Sequence, residues 1–226
     1  MSSDSYIVLG LLLCTVLTYM FCARTVPLLS YQLSNIFSTP KENSTLFWKV
    51  SRVMPFVTCL ILIGCVTGAY LLYHYLMECG TLTIAKGGDG ISIYAAIGLF
   101  IIPFFASFLI KKQGLRTTSI IFFTHDRYKL ADMEQQFFMA LQAVVVTTLA
   151  MLHGMYGFSI TTAMQIAVVS FIITEILAFY KEYRIFSSGK VTFSHFFLYL
   201  CTLETLYIAL LIGVSAFLTN TLRINI

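Results

Sequence analysis

The sequence predicts an all-α integral membrane protein with six transmembrane helices and an amphipathic interfacial helix in its first cytoplasmic loop. Three observations carry this. Of 226 residues, 58% are hydrophobic and 11% charged, where a soluble domain carries about a quarter charged residues. The apolar residues come in runs of roughly 20, the length a helix needs to cross ~30 Å of hydrocarbon. Lys and Arg cluster in alternate connections between those runs. A transmembrane barrel is disfavoured, because its strands alternate in and out and give no long apolar runs. The whole chain, 1–226, reads as one membrane-embedded domain.

The predicted spans lie near 5–23, 54–77, 91–110, 137–156, 161–180 and 196–218. The first resembles a signal peptide only in hydropathy. Asp4 is the only charge before Arg24, so the basic leader region is missing and a retained span is expected. Four Lys and Arg lie in 24–53, five in 111–136 and three in 181–195, which makes twelve of the 14. The positive-inside rule therefore puts these three loops in the cytoplasm and both termini outside.

The first loop is more than a linker. Pro27 suits a first helical turn, and Leu29, Leu33, Ile36 and Phe37 follow at helical spacing until Pro40. This amphipathic stretch is expected to lie in the interface plane. Asn43, Ser44 and Thr45 offer an N-cap for a helix entering the second span, and Phe47 and Trp48 suit an aromatic belt. Within that span, Gly64 and Gly68 make a small-xxx-small face for close helix packing.

The second cytoplasmic loop contains a short apolar piece, 120–123, expected to be interfacial or shallowly re-entrant. His125, Asp126, Asp132 and Glu134 form a polar cluster, read first as the solvated start of the fourth helix. Of the six cysteines, Cys79 alone falls in a loop, so no disulfide framework is expected.

Two carboxylates stand inside predicted spans, where an ionisable residue is costly and marks a functional-site hypothesis. Glu175 lies about 8 Å, and Glu204 about 12 Å, from the cytoplasmic ends of the fifth and sixth spans at 1.5 Å per residue. Gln142 in the fourth span lies at a similar level. A carboxyl pair at one depth could share or relay a proton, or bind a cation. It could equally stay neutral and hydrogen-bond across helices to Gln142 or a threonine. Near the opposite face, His74, Glu78 and His153 are weak candidates for haem or metal ligation. They form no tight motif, so no metal or cofactor is assigned. No catalytic motif of the common enzyme classes is present, and the net charge of +4 is spread over membrane-flanking loops, which gives no nucleic-acid footprint.

The last span opens His195-Phe-Phe-Leu-Tyr-Leu-Cys-Thr-Leu-Glu204, after an aromatic and basic linker holding Tyr180, Lys181, Tyr183 and Arg184. This resembles the C-terminal signature, HFFLYLCxLE-like, of an uncharacterised family of small polytopic membrane proteins from Bacteroidota, classed as a domain of unknown function. The resemblance implies a bacterial inner-membrane location and marks Tyr199, Leu200, Cys201 and Glu204. It brings no activity with it. Family members often continue with a proline soon after the glutamate. Here Thr205 follows.

Three functional readings follow. The first is a non-enzymatic scaffold or assembly component of an envelope complex, partnered by the bilayer and by other membrane proteins or copies of itself. The second is a small proton- or cation-coupled transporter or channel using the intramembrane carboxylates. The third is a membrane enzyme acting on lipid around His125 and Asp126.

Overall fold

The computed structural model describes residues 9–10, 12–24, 44–80, 91–122 and 125–187, with isolated positions 209, 213 and 216. All regular structure among them is helical. The helices are α1 (Leu12–Arg24), α2 (Ser44–Glu78), α3 (Ile91–Phe122), α4 (His125–Tyr156) and α5 (Ile160–Ser187). Among the described residues, three segments are long and apolar enough to cross a membrane: Val53–Glu78, Ala131–Tyr156 and Ile160–Arg184. The expected interfacial helix and the sixth span, 196–218, lie outside the described residues.

The helices overrun the predicted spans. Residues 111–122 continue α3, and α4 begins at His125, so most of the expected second cytoplasmic loop is helical. The apolar piece 120–123 supplies the last turn of α3 as far as Phe122 rather than a separate re-entrant segment. Likewise α5 continues past 180 to Ser187. The physical reason is that polar residues in these extensions have partners on neighbouring helices. Hydropathy alone cannot see such partners.

α2 is the central helix, packing on α4, α3 and α5, while α4 also packs along α5. Its closest approach is at Gly64, where an added Cβ would overlap the Cβ of Ala143 on α4. Gly68 faces the ring of Phe104 on α3, 3.3 Å from where its Cβ would stand. One turn from Gly64, the hydroxyls of Thr67 and Thr147 hydrogen-bond across α2 and α4 at 3.1 Å. Small side chains let the backbones meet, and the hydroxyl pair satisfies two groups that lipid could not.

Core clusters run the length of this bundle. Leu71, Leu149 and Ile160 fill one end, and Val57, Leu60 and Phe108 the other. On α5, Val168, Val169, Ile172, Ile173 and Ile176 point outward, a face that suits lipid. The short α4–α5 turn is set by Gly157 at φ 66°. Its N–H donates to His153 O at 3.2 Å, the left-handed helix C-cap that glycine favours.

Candidate functional site

Four helices, α2 to α5, line a partly open cavity of about 130 Å³. Its wall is mostly apolar, from residues such as Ile61, Phe104, Phe138 and Phe171. Polar groups converge on it from three helices: Ser107 and Lys111 on α3, Gln135 and Gln142 on α4, and Thr174 and Glu175 on α5.

Among the described residues, Lys111 and Glu175 are the charged residues in that wall, and they form an ion pair with each other. The Lys111 side chain is 7% exposed and that of Glu175 22%. Lys111 reaches this position because α3 stays helical beyond residue 110 and keeps it on the bundle face. A carboxylate and an ammonium can remain charged in so apolar a setting because each offsets the other.

Gln142 holds the α4 side of the site to α5. Its Nε2 donates to Ala167 O at 3.2 Å. Its Oε1 accepts from Ser170 Oγ at 3.2 Å and from Thr174 Oγ1 at 3.5 Å. Gln135 is different. It lines the cavity, is 4% exposed, and makes no hydrogen bond among the described residues.

A second ion pair lies beside the cavity but not in its wall. Lys181 Nζ stands 3.8 Å from Glu134 Oε1, with side chains 4% and 6% exposed. Glu134, Gln135 and Gln136 are all buried while Lys129 is exposed, so Glu134 is not part of the solvated polar stretch expected from composition. Asp132 accepts from Gln136 Nε2 at 2.9 Å, one turn on. The side chains of His125 and Asp126 lie outside the described residues.

Of the residues singled out in the sequence, Glu175 and Gln142 come together in this cavity, along with Gly64 and Gly68 at its back wall. Glu204 and the signature residues Tyr199, Leu200 and Cys201 lie outside the described residues, so the carboxyl pairing is not seen. At the other end of the bundle, the rings of His74 and His153 meet edge to face at 5.3 Å between centroids. Tyr70 and Tyr73 pack around His74, at 4.4 and 5.3 Å. His153 Nδ1 lies 2.7 Å from Phe158 O and ties the α4–α5 turn. Glu78 is exposed at the end of α2. Among the described residues, no group of three or more His, Cys, Asp or Glu side chains could hold a metal ion. The two histidines therefore sit in an aromatic cluster.

Sequence reasoning missed Lys111, Lys181 and Gln135. The two lysines were counted as loop charges because each directly follows an apolar run. A usable signal was present for Lys111: Glu175 stands inside a predicted span, and such a carboxylate calls for a partner on another helix.

A family described as a domain of unknown function (DUF4271) matches residues 7–214. No curated protein and no solved structure matches the chain.

Proposed function

The chain belongs to that family, DUF4271, and from this premise we propose that it is a six-span protein of the bacterial inner membrane that binds and moves a small ionic solute coupled to protons. Its termini face the periplasm, and the site is the cavity in the cytoplasmic half of the bundle. The observation that carries this reading is the Lys111–Glu175 pair, the charged pair lining an otherwise mainly apolar cavity. A pair serving only to join helices needs no chamber around it, whereas concave apolar sites with a few convergent polar groups are typical of ligand binding.

Proton flux measures it directly. Purified protein in liposomes containing a pH-sensitive dye should acidify or alkalinise the lumen under an imposed ion gradient. Glu175→Gln should stop the flux while the protein still elutes as one species in detergent. Equal flux in Glu175→Gln and the parent protein would sink the proposal.

A specific observation also favours the assembly reading. The two buried ion pairs tie α5 to α3 and to α4, while the opposite face of α5 presents a broad apolar surface. Under that reading Glu175→Gln leaves flux absent in both proteins, and Glu175→Leu loosens the bundle or releases partners during purification.

A further inference from the structure

We propose that the cavity takes a short-chain monocarboxylate together with one proton, the ligand's carboxylate on Lys111 Nζ and the proton on Glu175. This deepens the solute-binding reading above and rests on it.

Charge balance leads the argument. Among the described residues, the cavity wall holds one ammonium and one carboxylate, paired, so their charges cancel. Any occupant that separates them must restore that balance, because a buried charge left alone is strongly disfavoured. An anion alone would replace Glu175 on Lys111 and strand the carboxylate. If a proton enters with it, the balance holds. The proton adds to a Glu175 carboxylate oxygen, Lys111 keeps its three protons, and the ligand's carboxylate takes the place Glu175 had. Among the described residues, the other titratable group facing the cavity is Cys65 on α2, and α4 contributes amides only. The neighbouring pair Glu134 and Lys181 is not in the wall.

Gln135 supplies the second, independent observation. Its side chain is buried, faces the cavity, and has no hydrogen-bond partner among the described residues. An amide that faces the cavity instead of a protein partner is available to an occupant. Its amide N–H₂ and the Lys111 ammonium are donors, and a carboxylate accepts from both. Lys111 is also the more enclosed half of the pair, while Glu175 is the more exposed and the better placed to receive a proton. The remaining wall suits a hydrocarbon tail: Phe104, Phe108, Phe138, Met139 and Phe171. The space corresponds to roughly ten water-sized positions, enough for a short chain.

The test is calorimetry on the full-length protein in detergent, titrated with sodium butyrate, sodium chloride or glycine. Running it in two buffers of different ionisation enthalpy counts protons. Butyrate should bind with uptake of about one proton per site. Glu175→Gln, which carries no charge to neutralise, should bind butyrate with no proton uptake. Lys111→Met should abolish binding, and Gln135→Leu should weaken it roughly tenfold. If Lys111→Met fails to fold, the Gln135 and Glu175 variants still decide the matter. Binding of glycine in preference to butyrate, butyrate binding without proton uptake, or no butyrate binding at all would each overturn the assignment. The two proposals fail separately. Glu175-dependent flux without butyrate binding removes only the ligand class. Proton-linked butyrate binding with no flux removes only transport.

Discussion

Gly64 on α2 lies so close to Ala143 on α4 that a methyl group on Gly64 would occupy the space of the Ala143 methyl. The two backbones can come no closer, and this contact forms part of the cavity's wall. Gly64→Ala is therefore expected to force α2 and α4 apart and destabilise the protein by about 1–3 kcal/mol, the usual cost of overpacking. Ala143→Gly in the same chain should restore much of the loss, since it returns the volume. Thermal unfolding in detergent, followed by gel filtration of heated samples, reads both. Unchanged stability in Gly64→Ala would show that the helices can separate freely.

The Lys181–Glu134 pair gives a prediction of opposite pattern for single and double variants. Both side chains are nearly inaccessible, so losing one partner strands a buried charge. Lys181→Met or Glu134→Gln alone should cost about 3–5 kcal/mol, and the double variant should cost markedly less than their sum. Additive losses in the cycle would mean that the two groups do not interact in the membrane.

These pairs also show what the sequence could and could not convey. The apolar runs of α2, α4 and α5 were legible because hydropathy is a local property. Glu175 and Gln142 stood out for the same reason, as polar residues inside such runs. Their partners did not. Lys111 and Lys181 each follow an apolar run, and a lysine there looks like a topology signal whether it points to water or to a carboxylate on another helix. The choice depends on how far α3 and α5 continue as helices, which side-chain pairing across helices decides. Removing these two from the count still leaves ten of the 14 basic residues in the three loops proposed as cytoplasmic, so the charge argument for that orientation does not depend on them. Gln135 was invisible for a related reason: burial at the start of α4 comes from neighbouring helices, not from its own polar sequence.

The α4–α5 turn offers a local test. Gly157 has φ 66°, and a side chain in the left-handed region costs about 1–2 kcal/mol. Gly157→Ala should lower the unfolding temperature by a few degrees, while Gly157→Asn, better tolerated there, should lower it less. His153 ties the same turn through Phe158 O, so His153→Ala should add to the loss by leaving that part-buried carbonyl short of a donor. A neutral Gly157→Ala would mean that the turn relaxes to another geometry.

Orientation can be checked with a native thiol. Cys79 follows α2 and is exposed, Cys65 is buried, and Cys14, Cys22 and Cys59 are half-buried within their helices. On the proposed topology the 78–90 connection is periplasmic, because residues 24–53 and 111–136 hold nine basic residues between them and this connection holds Lys86 alone. A membrane-impermeant maleimide added to intact spheroplasts should therefore label the protein, and Cys79→Ser should remove most of that label. In inverted vesicles the same reagent should leave Cys79 untouched. Labelling only in inverted vesicles would reverse the topology. The Lys111–Glu175 cavity would then open toward the periplasm, and solute and proton would enter it from outside the cell.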